Sequence, residues 1–173
     1  MELLKLLKDE AFPFSYIDHT RIVTRAIILN DNNEVYLINV ERDDDFGNAS
    51  YLETPGGGVK DGEELEEALL REIKEECGFV VDIVSEIGLV EDDYNIIHRH
   101  NKNYYYLCRI KEVCYSEREE YETLWFKSLK FYNLDEVINI CKHPNSPIEQ
   151  VVYNREVEVY LKVKEMLRKW ILV

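Results

Sequence analysis

Cysteine is scarce and unpatterned in this chain. The four present, Cys77, Cys108, Cys114 and Cys141, form no C-x-x-C pair and no zinc-type cluster with histidine, so they read as reduced thiols of a cytoplasmic protein. Proline and glycine are also few, at 4 and 7, which excludes low-complexity and collagen-like chains. No apolar run approaches the length of a bilayer span, and charges interrupt the N-terminal MELLKLLKDE, so neither a membrane anchor nor an export signal is expected. Basic residues are outnumbered, 21 against 35 acidic, and the net charge of −14 argues against a groove that tracks the phosphates of long DNA or RNA. A small phosphate ligand remains admissible. What is present, 173 residues with 46% apolar, suffices for one buried core, and a single domain over 1–173 is expected.

The pattern along the chain predicts a mixed α/β fold. Leucines at 3, 4, 6 and 7 predict a short docking helix over 2–8. Two β-branched runs, 21–29 and 34–40, flank an Asn-Asp-Asn-Asn turn and predict a hairpin. A polar loop over 43–48 and a brief extended piece over 51–54 lead to Pro55. Residues 63–77 are almost all strong helix formers, and Gly78 stands where a helix C-cap belongs. Strands are expected over 79–90, 103–110 and 123–127, a short helix over 134–141, and an amphipathic C-terminal helix over about 149–170, with Val152, Tyr160, Val163, Leu167 and Trp170 on its apolar stripe. The elements do not alternate strictly as βαβ, which points to a mixed sheet covered by helices.

The chemistry concentrates around the acidic helix. Five of the seven glycines, Gly56, Gly57, Gly58, Gly62 and Gly78, fall within 23 residues, and the three consecutive ones after Pro55 let backbone come close to a ligand or metal. On the helix, Glu72, Glu75 and Glu76 stand at i, i+3 and i+4 and share one face. Like charges at that spacing repel by a few tenths of a kcal/mol per pair, so the patch calls for a cation or for Arg71 and Lys74, which lie to its flank. Leu65, Ala68 and Leu69 lie on the same side and turn the face inward. Carboxylates without thiol or imidazole partners are hard ligands that suit Mg²⁺ or Mn²⁺, ions that commonly act on phosphates. His98 and His100 alternate near a strand end and could form a ligand pair, but solvated or hydrogen-bonded histidines are the simpler reading.

Gly57, five residues, Glu63, seven residues, and then Arg71-Glu72-Ile73-Lys74-Glu75-Glu76-Cys77-Gly78-Phe79 resemble the Nudix box. Every fixed position over 57–79 matches, and the Pro-Gly-Gly-Gly lead-in is similar too, so the chain resembles the Nudix hydrolase family (MutT-like). The resemblance implies an α/β/α sandwich with a mixed β-sheet. It implies that Glu72, Glu75 and Glu76, with the backbone carbonyl near Gly56, hold divalent metal, and that Arg71 and Glu63 support them through an ion pair of Arg71 with Glu63, Glu67 or Glu75. The general base in the family is either a box glutamate or a later acid; Glu75 is favoured here, with Glu119, Glu120 and Glu122 as the alternatives.

The implied activity is hydrolysis of a nucleoside diphosphate linked to another moiety, such as a (d)NTP, by water attack on phosphorus. Two alternatives are a non-hydrolytic nucleotide sensor and an RNA 5′-pyrophosphohydrolase. Gly57 and Gly58 would approach the substrate, and Phe46 and Tyr94 are the aromatics expected in loops beside the cleft. No proline lies between Pro55 and Pro144, so the ADP-ribose-type signature is missing, as are the NADH-type and coenzyme A-type motifs. A homodimer is compatible with the leucines of the N-terminus and with the C-terminal stripe.

Overall fold

A computed structural model describes the backbone of residues 1–118 and 120–171, and the side chains of all of these except 120–122 and 171. In chain order the elements are β1 (Leu3–Leu7), β2 (His19–Leu29), β3 (Val35–Asp44), β4 (Gly47–Glu53), β5 (Gly56–Gly58), α1 (Leu65–Cys77), β6 (Phe79–Tyr94), β7 (Arg99–Val113), α2 (Glu120–Trp125), β8 (Phe126–Tyr132), α3 (Leu134–Cys141) and α4 (Pro147–Ile171). The strands form one mixed sheet in the order β1-β6-β7-β2-β3-β4, with β5 added to β2 and β8 to β3. The β1/β6 and β2/β7 pairs are parallel and the others antiparallel.

Strand β2 is buried on both faces from Val23 to Leu29: polar Thr24 and Arg25 are included, and the continuous apolar run is 26–29. Ala26 and Ile28 face Leu69, Ile73 and Cys77 of α1, whereas Ile27 and Leu29 face the cluster built with Val137 and Ile138 of α3 and Val152, Val159 and Val163 of α4. Two helical layers therefore cover opposite faces of the sheet, the α/β/α arrangement expected. Strands β2 and β3 meet at a single rung, Leu29 with Val35. Beyond it β2 is bordered by β5, while β3 takes β4 and β8, so the sheet parts and leaves a cleft between the diverging strands.

The turn of the expected hairpin is present, with Asn30 Oδ1 accepting from the backbone N–H of Asn32 and Glu34 and Asn33 at a positive φ of 60°, but its two strands diverge after one rung. Helix α3 has the predicted bounds, and α1 begins two residues later than predicted and ends at Gly78, whose φ is 69°. Helix α4 starts slightly early because Pro147 occupies its first position and Ser146 Oγ accepts from Glu149 N–H at 3.3 Å. Val152, Tyr160 and Val163 of its stripe are buried, but Trp170 in the exposed last turn is not.

Several elements differ from expectation. Residues 2–8 are not helical: Leu3–Leu7 is an edge strand parallel to β6, with an extra residue between Leu3 and Lys5 that mimics helical leucine spacing. Sheet pairing and the seating of Leu4 on Gly88 override the helical preference of leucine. Residues 123–125 belong to α2, and the strand begins only at Phe126, where pairing with β3 becomes available after a register shift. The 43–48 loop shrinks to a tight turn because β3 and β4 pair up to Asp44 with Gly47. Strands β6 and β7 both run longer than predicted and meet at Tyr94 with Arg99. No described helix is long and apolar enough to cross a membrane.

A Cβ at Gly88 would lie 2.6–2.8 Å from the methyl carbons of Leu4. Gly88→Val is therefore expected to displace β1 and cost about 1–3 kcal/mol. Denaturant unfolding measures the cost, and faster hydrogen exchange confined to β1 and its β6 partners would show where it falls.

Candidate active site

Helix α1 and the β4–β5 turn build the acidic wall of the cleft. Backbone pairing of Gly56, Gly57 and Gly58 with Arg25, Thr24 and Val23 fixes the glycine strand beside the helix. Glu76, 5% exposed, accepts the Gly56 N–H at 2.8 Å. The carboxylate of Glu72 lies directly over Gly57, where a Cβ would come within 2.5–2.6 Å of its two oxygens, so any side chain there would push it away. The glycine run thus makes room for a carboxylate as well as for a ligand.

Arg71 reaches across the patch and does not stay at its flank. Its Nε and Nη2 donate to the two oxygens of Glu63 at 2.7 and 2.9 Å, its Nη1 donates to Glu72 at 2.6 Å and Glu75 at 3.1 Å, and Nη2 also donates to the Gly58 carbonyl at 3.2 Å. Glu67 takes no part and accepts the Glu64 N–H. The bidentate hydrogen bonds from Arg71, helped by the Lys60 N–H, hold the Glu63 carboxyl down at about 2. One guanidinium so offsets the repulsion of the patch and clasps the loop to the helix. Among the described residues, no group of His, Cys, Asp and Glu is already gathered as a metal cluster. The donor chemistry of Glu72, Glu75 and Glu76 nevertheless suits a hard divalent cation, with Arg71 as the present counter-charge of Glu72 and Glu75.

The remainder of the cleft is basic, and the sequence reading did not anticipate it. Arg21, Arg25, Arg42, Arg99 and Arg155 line a space of about 890 Å³, counted to its open mouth, together with Glu53, Glu72, Glu76, Tyr51, Tyr94 and Trp125. Arg155, 1% exposed, donates to Tyr94 at 2.7 Å, Glu53 at 3.1 Å and Glu156 at 3.0 Å, and pairs with Asp92 at 3.4 Å. Arg25 pairs with the same Glu53 at 2.9 Å. Burial opposes ionisation of Glu53, but these two arginines outweigh it and its carboxyl is lowered. Arg42 pairs with Asp44 and stacks on Trp125 at 4.9 Å. A signal for this basic floor was legible: Arg21 and Arg25, four apart in one strand, share a face, and Arg99-x-Asn101-x-Asn103 places polar groups at every second position of another.

Of the expected site residues, Gly56, Gly57, Gly58, Glu72, Glu76 and Tyr94 line this cleft, while Glu63, Arg71 and Glu75 adjoin it in the clasp. Tyr94 ends a strand instead of lying in a loop. Phe46 does not border the cleft: it is buried behind it, packed edge-on against Tyr94 with ring centres 5.6 Å apart. His98 and His100 do not converge, for His98 stacks on Tyr16 and His100 bridges Glu91 and Asp93. Of the other base candidates, Glu119 and the side chains of Glu120 and Glu122 lie outside the described residues, although the chain up to Arg118 returns to α1, where Arg118 Nε donates to the Glu76 carbonyl at 2.7 Å.

This arrangement, a mixed sheet between helical layers with a glycine strand and a glutamate face at one cleft, defines an α/β protein whose box glutamates and arginines share a single cleft. The NUDIX domain model matches residues 19–151, and the chain belongs to that family. It is 36% identical over 82 residues to the 8-oxo-dGTP diphosphatase of Escherichia coli (strain K12), covering 47% of this chain and 60% of that protein. It is 31% identical over 103 residues to the RNA pyrophosphohydrolase of Wolbachia pipientis subsp. Culex pipiens (strain wPip), covering 57% and 56%. The chain thus spans less than two thirds of the length of these curated relatives. Among solved structures, a NUDIX hydrolase from Nitrosomonas europaea superposes with a TM-score of 0.63 at 15% identity, covering 82% of this chain and 89% of that one. A MutT NUDIX hydrolase from Burkholderia pseudomallei gives 0.59 at 22%, covering 79% and 97%. These likenesses establish the fold.

Removing Arg71 should free Glu63. In Arg71→Met the Glu63 carboxyl is expected to rise from about 2 towards the ordinary carboxylate range, with the Lys60 N–H still holding it somewhat below, as read by carboxyl-carbon NMR. Because the folded value is depressed, the stabilisation from the clasp is complete above about pH 4–5 and is lost as pH falls towards 2. The stability difference between parent and variant should shrink over that window.

Proposed function

We propose that this chain is a divalent-metal-dependent diphosphohydrolase that cuts a nucleoside diphosphate linked to another moiety, with a small nucleotide such as a (d)NTP as substrate. The observation that carries the reading is the charge division of one cleft, with the box glutamates on one wall and five arginines on the floor and opposite side. Glu72, Glu75 and Glu76, with the Gly56 carbonyl, are the groups that would hold Mg²⁺ or Mn²⁺; such an ion neutralises phosphate charge and makes water a better nucleophile. Arg71 and Glu63 keep the glycine strand and helix at a fixed separation, so the glutamates stay in place when the patch changes charge. Glu75, the most exposed of the three, is the group proposed to take the proton of the attacking water. Gly57 and Gly58 leave backbone accessible to the phosphates. Glu53 is tied to two arginines and serves to orient them. The domain is proposed to be single over 1–173 and the protein cytoplasmic.

Hydrolysis of the 5′ end of RNA is a second reading, favoured by the names of several relatives. A panel of nucleotides and a 5′-triphosphorylated oligoribonucleotide, assayed for phosphate and pyrophosphate release with and without Mg²⁺, separates the readings. Metal-dependent turnover of a small nucleotide supports the first, and preference for the oligonucleotide supports the second. No turnover by the folded, metal-loaded protein would sink both and leave a nucleotide sensor. Glu76→Gln is expected to fold, since an amide oxygen still accepts the Gly56 N–H, and to lose more than about 100-fold in turnover. Near-native turnover in that variant would remove Glu76 from the metal site.

A further inference from the structure

The five cleft arginines are not equivalent. Arg25, Arg42 and Arg155 each meet a carboxylate, whereas Arg21 and Arg99 have no hydrogen bond or ion pair among the described residues. Their strands run parallel in a register that sets Arg21 opposite Asn101, and Arg99, two residues before Asn101, projects on the same face. The two guanidiniums are thus diagonal neighbours of like charge at the mouth of the cleft. Arg21 lies against Gly58, its Nη2 2.9 Å from where a Cβ would stand. Arg99 lies over the ring of Tyr94 at 5.3 Å, and its Nε is buried without an acceptor. Burial, reinforced by the charge of Arg21, lowers Arg99 to about 10, so it is still charged at neutral pH. Between them Asn101 is 2% exposed and its Oδ1 has no donor. Two cations that no carboxylate contacts among the described residues, and a buried guanidinium N–H without an acceptor, destabilise the empty cleft; an anion placed between them would relieve both costs, and a proton or water it carries would serve Asn101 Oδ1.

We propose that Arg21 and Arg99 form a subsite for one phosphate group, separate from the box glutamates, which selects substrates carrying a phosphate beyond the diphosphate held at the acidic wall. The subsite stands on its own geometry, and its use in selecting substrates rests on the hydrolase reading above. Planar guanidinium forks from two strands match the oxygens of a tetrahedral anion, while Asn101 Oδ1 can accept from a protonated phosphate oxygen or a bound water. Compared with the paired arginines deeper in the cleft, these two can engage a ligand without breaking an ion pair.

The test begins without metal. In EDTA, inorganic phosphate is titrated into the intact protein while the side-chain Nε–H resonances of arginine are followed. A saturable shift of the Arg99 signal is expected. Arg21→Gln and Arg99→Gln should each weaken binding by about tenfold or more, Arg99→Lys should retain part of it, and Lys111→Gln, remote and exposed, should change nothing. Arg21 is exposed, so its variant keeps the fold even if Arg99→Gln does not. The second stage compares a nucleoside triphosphate with the diphosphate of the same base in the presence of Mg²⁺. Arg21→Gln should raise KM for the triphosphate by about tenfold with little change in kcat, and leave the diphosphate unaffected. No saturable shift, or equal phosphate binding in the variants, overturns the subsite even if nucleotides are hydrolysed. Binding that depends on both arginines upholds the subsite even if no nucleotide is turned over, and that failure then falls on the hydrolase reading alone. Equal KM changes for the triphosphate and the diphosphate would reject the selection of an extra phosphate.

Discussion

The guanidinium of Arg155 is the constraint around which the cleft is organised. It enters from α4 almost completely buried, where an unpaired charge would cost several kcal/mol. Its stability there requires Glu53 from β4, Asp92 and Tyr94 from β6 and Glu156 from its own helix to be in place together. Glu156 in turn accepts from Thr54 and from the Tyr105 hydroxyl, and Asn103 bridges Arg25 and Asp92. The helix is therefore locked to the point where the sheet parts, and the β4 end that leads into the glycine strand is locked with it. A purely apolar contact could cover this floor, but it would not specify direction as hydrogen-bonded charges do.

The same network explains how a protein of net charge −14 offers a basic cleft. Acidic side chains dominate the chain, eight of them between Asp61 and Glu76, yet the arginines converge where strands β2, β3 and β7 and helix α4 meet. An anion that enters the cleft meets fixed positive groups at short range despite the negative net charge. Charge segregation of this kind separates the walls: carboxylates gathered under Arg71 on one side, guanidiniums braced by carboxylates on the other.

Particular residues show how far sequence reasoning reaches. The acidic helix, its glycine lead-in and its C-cap were legible because each depends on local rules: helix periodicity, backbone freedom and left-handed φ. The hairpin turn and α3 were legible for the same reason. The segment 2–8 was misread because a bulged edge strand and a helix can space leucines alike, and only the partner strand decides. Residues 123–125 were misread because aromatic and β-branched composition does not mark the residue at which pairing begins. Phe46 was placed at the cleft because a polar stretch looks like a loop, although pairing up to Asp44 and Gly47 turns its ring into the core.

Sequence alone determined the match to the Nudix box and the mixed α/β class, which follow from residue spacing and element order, and the face shared by Glu72, Glu75 and Glu76, which follows from spacing within one helix. Only the tertiary structure decided that Arg71 spans the patch, that five arginines separated by up to 134 positions line one cleft, and that two of them make no ion pair among the described residues. Long-range encounters of this kind depend on strand register and on where a sheet separates. Neither is written in the periodicity of any one segment.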